Sequence, residues 1–340
     1  MTDLPPPLPT PTRELSTPGF AIGHGSDLDG KTGVTVILCP EGALAAAEVL
    51  GSATGTRQFD SLVLSHHVAS RAHAVVLAGG SGFGLAAADP VVAHLEARGH
   101  GFAVGDLGVV PLVPTAILFD LGFGDPRARP GRALAEAALD DAEGPGRRVA
   151  VGSVGAGTGA TVGKARGLDC AMKGGFGFAA LTVAGGPTVA AAVAVNAFGD
   201  VRDPFAPESA AGPGGVVAGC RAAPGSHRLA GADRVLAALP REAGHPWEGN
   251  TTLAVVMTDV ALTKGQAVKV CRMAFGGLYR ALVPALSLYD GDLVVVLSRG
   301  ERRAAVNQVG VLAEHAVAQA ILTAVREADG FGLLPAVRDL

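Results

Sequence analysis

Between Val201 and Asn250 the chain shows no hydrophobic period, and this break limits how the rest can be arranged. Prolines recur at positions 204, 207, 213, 224, 240 and 246 with glycines between them, so no long helix or ladder strand runs through the segment. It is the longest irregular stretch of the sequence and the natural place for a flexible or cleavable segment. Regularity returns abruptly: residues 252–257 are an apolar, β-branched run that begins where the loop stops.

Periodic elements flank the break on both sides. Before it, residues 34–38 and 74–77 read as buried strands, and residues 148–151 as a further strand. A glycine cluster at 79–84 leads into an Ala-rich helical stretch to about residue 98, and residues 130–141 read as a second helix. Residues 178–183 and 188–196 look like a hairpin around the Gly185-Gly186-Pro187 turn. After the break, 264–282 is a helix, 293–297 a strand, and 304–328 a long helix with Val309, Ala313, Val317, Ala320 and Ala324 on one stripe. No repeat is present. The pattern is that of a layered α/β arrangement with helices outside the sheets.

Composition removes several function classes. Apolar residues at 49% and charged residues at only 17% describe a compact globular chain rather than a disordered one. A net charge of -4 with scattered Lys and Arg leaves no footprint for nucleic acid. The 49 glycines suit close-packed elements joined by tight turns. Cys39, Cys170, Cys220 and Cys271 are far apart and form no C-x-x-C, so buried free thiols are expected. The Pro-rich start has neither a basic region nor an apolar run, which reads as no signal peptide and a cytoplasmic protein. The most apolar later stretch, 179–198, is interrupted by its Gly-Gly-Pro turn, so no membrane span is expected.

Some motifs resemble chemistry without its context. Residues 25–32, Gly-Ser-Asp-Leu-Asp-Gly-Lys-Thr, fit the phosphate-loop pattern, yet a strand follows where a helix is needed and two carboxylates would repel phosphate. A solvated turn is the better reading. The glycine segments 79–84 and 154–163 lack the full dinucleotide register, 155–160 fitting only the variant that ends in Ala. Two readings of them stay open: close passage of backbones, or the lining of a site. Asp27-Leu28-Asp29-Gly30 is too short for a calcium loop, and the histidines form no H-E-x-x-H, so no metal is expected. No G-x-S-x-G elbow is present.

The junction Gly249-Asn250-Thr251-Thr252 carries chemistry of another kind. A threonine hydroxyl is a poor nucleophile without an adjacent base. If the bond before Thr251 is cut, its own α-amine, with a pKa near about 7.7–8.0, becomes that base. The expectation is an N-terminal-nucleophile amide hydrolase that cuts itself between Asn250 and Thr251 and needs no cofactor.

Several stretches in a fixed order strengthen this: Val75 to Leu85, Gly155 to Gly163, Lys173-Gly174-Gly175, Val195-Asn196-Ala197, Asn250-Thr251-Thr252-Leu253 and Asp290-Gly291-Asp292. With them the chain, from about residue 23 to residue 300, resembles the P1, or DmpA-type, peptidase family of β-aminopeptidases, D-aminopeptidases and nylon-oligomer hydrolases. The resemblance implies Thr251 as nucleophile, Asn196 as oxyanion donor, Lys173 as the active-site cation, and Asp290 with Asp292 as the pair that holds the new amine and the hydroxyl. Gly80, Ser81, Phe83, Gly157 and Thr158 are the candidates for lining the substrate pocket. It also implies a four-layer α-β-β-α sandwich of the DmpA and ornithine-acetyltransferase type. The chain would then comprise an arm at 1–22 and one catalytic domain at 23–340, cut into 1–250 and 251–340. Relatives form tetramers of such heterodimers.

A Thr nucleophile with Asp-Gly-Asp is similar to the 6-aminohexanoate-oligomer hydrolases, whereas β-aminopeptidases typically use Ser with a Ser/Glu pair. A linear oligoamide or a peptide is the expected substrate. The alternatives are a β- or D-aminopeptidase of the same family, or an acyltransferase like the ornithine acetyltransferases, which usually have Ala-Thr at the cut. One departure is that Arg132 follows Pro130-Gly131, where relatives often carry a Tyr as a second oxyanion contact.

Overall fold

A computed structural model describes residues 7–207, 215–239 and 249–340. Parts of the predicted arm and of the irregular stretch, with its prolines at 213, 240 and 246, lie outside these residues. Strands β1 (Ala21–Asp27) and β2 (Thr32–Val49) make a hairpin. Its turn is the phosphate-loop look-alike, closed by Asp27 Oδ1 accepting from Asp29 N (3.1 Å) and Gly30 N (2.8 Å). β2 is long enough to serve both halves of one sheet. Its first half pairs with β1 and with β3 (Arg71–Ala78). The register breaks between Leu38 and Ala43, and from Leu44 the strand pairs on its other side with a later strand, Leu293–Arg302.

The ladder as a whole adds β4 (Thr115–Ile117), β5 (Gly175–Thr182), β6 (Thr188–Asn196), β7 (Thr251–Val260) and β8 (Leu293–Arg302). Its order is β5-β6-β7-β8-β2-β3-β4, so β7 lies between two neighbours, antiparallel to β6 and parallel to β8. Alternation along each strand sorts side chains to opposite faces. Leu253, Val255, Leu293 and Val295 meet Ile37, Val75 and Leu77 in a core between the two halves of the sheet. Ala254, Val256, Val294 and Val296 face outward onto helices Lys264–Ala281 and Val306–Arg326. On the far side Val34, Val36 and Val76 pack on helices α1 (Ala88–Glu96) and α2 (Arg132–Ala142), through Val91, Leu95 and Leu139. Three cores between four layers make the α-β-β-α sandwich expected from the resemblance.

The outer helices α3 (Lys264–Ala281) and α4 (Val306–Arg326) need small residues beneath them. A Cβ on Gly177 of β5 would lie 1.8 Å from the Ala320 carbonyl of α4, so only glycine permits this approach. α3 starts at a capping box in which Gln266 N donates to Thr263 Oγ1 (3.3 Å) and Thr263 N to Gln266 Oε1 (2.9 Å). By length and composition α4 could cross a membrane, but here it is a core helix with two thirds of its most apolar window buried.

Two expectations change. Residues 148–151 form no strand; Arg148 and Gly152 make only single bridges, to Glu14 and Phe176. The partner of this segment is the N-terminal arm, with Leu15 N donating to Arg147 O (2.8 Å) and Val149 N to Arg13 O (3.0 Å), too short an exchange to build a ladder. The stretch expected to be irregular contains strands Asp200–Arg202 and Val216–Ala218 and a helix, Ala232–Ala237. Asp200 organises them. Its buried carboxylate accepts from Cys220 N and Ala232 N, both at 2.6 Å.

Candidate active site

Thr251 opens β7, and both it and Asn250 are buried. The bond between them is held by a second segment, 289–292. Asn250 N donates to Tyr289 O (3.1 Å), Gly291 N to Asn250 O (2.8 Å), and Thr252 N to Asp292 Oδ1 (2.6 Å). The Thr251 hydroxyl donates to the Asn250 carbonyl oxygen.

Asp290 and Asp292 are 1% exposed each. Asp290 accepts from Phe198 N (3.0 Å), Ser287 N (3.0 Å) and Ser287 Oγ (2.6 Å). Asp292 Oδ2 accepts from Leu286 N (3.3 Å). Burial raises the proton affinity of both carboxyls, and the charge of Asp290 raises that of Asp292 further.

Asn196 closes β6 directly opposite Thr251 in the antiparallel register. Thr161 N (2.9 Å) and Lys164 Nζ (3.0 Å) both donate to its Oδ1, which fixes the amide so that Nδ2 points away, donating to Phe119 O (2.9 Å). Lys164 is 4% exposed and also donates to Thr161 O (2.8 Å), Thr161 Oγ1 (3.0 Å) and Asn196 O (3.1 Å). Lys173, singled out from the sequence, lies in a different cage. Its Nζ donates to the carbonyls of Gly157 (2.9 Å), Ala160 (2.8 Å) and Gly174 (3.1 Å). Burial lowers its pKa to about 7, against the pull of the nearby Asp120 carboxylate. Asp120 is itself pushed up to about 6 by burial and accepts from Gly80 N (2.6 Å) and Thr32 Oγ1 (2.8 Å).

Lys164, Phe119 and Asp120 were not singled out by sequence reasoning. The signal for Lys164 was its place in Thr161-Val162-Gly163-Lys164, directly after the glycine segment. These three residues help line a cavity of about 50 Å³, with Gly249 and Phe123 also on its wall. Phe119 also stands against Gly249, where a Cβ would come within 2.7 Å of its own. A larger cavity of about 500 Å³ lies between the arm, at Leu15 to Ile22, and the segment at Gly144 to Val149.

The pocket candidates sit elsewhere. Gly80 takes a left-handed turn, φ 75°, with its N–H on Asp120. Ser81 follows at φ 53°, and Phe83 is 58% exposed beneath the Arg129 guanidinium. Gly157 and Thr158 are buried, supplying a carbonyl to Lys173 and a hydroxyl to Gly155 O (2.7 Å). None of the five lines the cavity beside Gly249. Arg132 is on the exposed face of α2, paired with Glu136 (3.1 Å); the aromatic residues beside the junction are Phe119, against Gly249, and Tyr289, whose carbonyl accepts from Asn250 N. Among the described residues no group of three or more His, Cys, Asp or Glu could hold a metal ion.

The family model of Peptidase family S58 matches residues 17–333. An uncharacterized aminopeptidase of Mycobacterium leprae is 35% identical, covering 93% of this chain and 91% of that protein. A 6-aminohexanoate-oligomer endohydrolase of Paenarthrobacter ureafaciens is 30% identical, covering 84% of this chain and 74% of that one. Among solved structures, a Burkholderia sp. beta-aminopeptidase superposes with a TM-score of 0.65 at 21% identity, covering 96% of this chain and 90% of that one. An L-aminopeptidase D-Ala-esterase/amidase from Ochrobactrum anthropi, described as a variant of the Ntn-hydrolase fold, superposes with a TM-score of 0.67 at 19% identity over 96% and 89%.

Proposed function

Because the chain belongs to peptidase family S58, we propose that it cuts itself between Asn250 and Thr251 and then hydrolyses amide bonds through an acyl-enzyme on Thr251. The observation that carries this reading is the buried Thr251 hydroxyl set against the Asn250 carbonyl at the first residue of a sheet strand. Once freed, the α-amine of Thr251 takes the hydroxyl proton, and the oxygen attacks the substrate carbonyl. Asn196, its amide oriented by Lys164 and Thr161, gives one Nδ2 hydrogen to Phe119 O and keeps the other for the developing oxyanion of the substrate. The amine then returns its proton to the leaving group, and water releases the acyl chain.

The substrate class is a linear oligoamide or short peptide. Names of relatives support both forms: an uncharacterized aminopeptidase at 35% identity and an oligomer endohydrolase at 30%. The test has two parts. Intact mass should give chains ending at Asn250 and beginning at Thr251, and Thr251→Ala should remain one inactive chain. Amino-acyl p-nitroanilides and 6-aminohexanoate oligomers, each with a free and an acetylated amine, then separate exo- from endo-cleavage. Processing of Thr251→Ala at the same bond would remove Thr251 as the nucleophile.

A further inference from the structure

The carbonyl that self-cleavage would attack already has a donor in place. Gly291 N donates to Asn250 O at 2.8 Å, the same oxygen that the Thr251 hydroxyl reaches. The segment bearing this N–H is clamped from behind, with Ala53 N donating to Asp290 O (3.0 Å) and Gly51 N to Asp292 O (2.9 Å). Position 291 must lack a side chain for the approach to exist. A Cβ there would lie 2.7 Å from Thr251 Oγ1 and 2.7 Å from Ala53 O. Asn196, in contrast, directs Nδ2 to the Phe119 carbonyl.

We propose that the main-chain N–H of Gly291 is the oxyanion donor of self-cleavage, a role separate from that of Asn196 in turnover. The proposal rests on Thr251 as nucleophile. Thr251 Oγ adds to the Asn250 carbonyl carbon, and the carbonyl π pair moves onto the oxygen held by Gly291 N–H. That pair returns as the C–N bond breaks, and the hydroxyl proton ends on the leaving nitrogen. The products are an ester between Asn250 and Thr251 Oγ and a free α-amine. Water then adds its OH to the Asn250 carbonyl carbon and its proton to Oγ, giving the two termini. A donor that is rigid before reaction needs no reorganisation as the charge develops.

The test exchanges one N–H for an oxygen. Cell-free translation with glycolic acid at position 291 turns that amide into an ester. Self-cleavage, read as a first-order rate on a denaturing gel, should slow on the order of 10²-fold, as for loss of an oxyanion donor. A second chain with lactic acid at position 53 loses the Ala53 bond of the same clamp but leaves the reacting oxygen its donor; it should slow by less than about threefold. Folding is checked in both by a cooperative thermal transition. A parental rate in the 291 ester overturns the proposal. Equal slowing in both esters overturns it too, because clamp rigidity would then be the cause. Either result leaves Thr251 as the nucleophile, which is judged separately by whether Thr251→Ala stays whole.

Discussion

Lys164 and Lys173 are both buried, but their acceptors give them different tasks. Lys164 holds the Asn196 side chain by its Oδ1, whereas the hydrogen bonds of Lys173 go to the backbone carbonyls of Gly157, Ala160 and Gly174. Lys164→Met should therefore lower kcat at least about tenfold with little change in KM, in line with the weight of a single oriented donor. In an Asn196→Ala background the same change should add almost nothing; full additivity would mean that Lys164 does not act through Asn196. Lys173→Met should act on stability instead. Each carbonyl left without a donor costs about 1–3 kcal/mol, so its unfolding midpoint should fall clearly in urea. The acidic pair sets a pH dependence. Burial raises both carboxyls above the unfolded value of about 3.9, so the folded chain keeps protons that the unfolded chain releases. The pair's share of stability is thus greatest below that value and declines as pH rises towards the folded values. Asp292→Asn in the uncut Thr251→Ala chain should flatten this decline, compared by urea midpoints between pH 5 and pH 8; an unchanged slope would contradict the assignment.

At the scale of elements, the strands that form the shared core follow from their apolar runs, and the sequence reveals them well. Residues 252–257 and 293–297 lie within β7 and β8, and the hairpin at 178–196 within β5 and β6. Asn250 and Thr251 could be singled out from the abrupt passage of loop into strand, whereas Asn196, Asp290 and Asp292 stood out only through the resemblance to the family. Lys164 could not, since its role depends on Asn196, 32 residues away in the chain. The order in the irregular stretch was equally hidden, because it rests on pairing of its short strands with each other and with residues 282–283, and on the buried carboxylate of Asp200, rather than on any period. Close packing of β5 under α4 makes a sharp prediction. Gly177→Ala places a methyl 1.8 Å from Ala320 O and should destabilise the fold by about 1–3 kcal/mol, measured by chemical denaturation. Wild-type stability in that variant would mean that the layers can part without cost.

For the whole molecule, the position of β7 decides what a cut can do. The strand is hydrogen-bonded to β6 on one side and β8 on the other, so two products would remain one body. They should coelute in native size exclusion and separate only in denaturant; dissociation at neutral pH would contradict the topology. A chain terminus normally lies at a surface, where its charge is hydrated. This one would be created inside a finished sheet. That imposes an order of events: assembly first, chemistry second. A fragment supplied as 251–340 from the start would have to carry a bare ammonium into the interior while the sheet was closing. The uncut peptide bond is in this sense a timer, delivering a neutral backbone to the interior and exposing the reactive amine only when everything around it is in place.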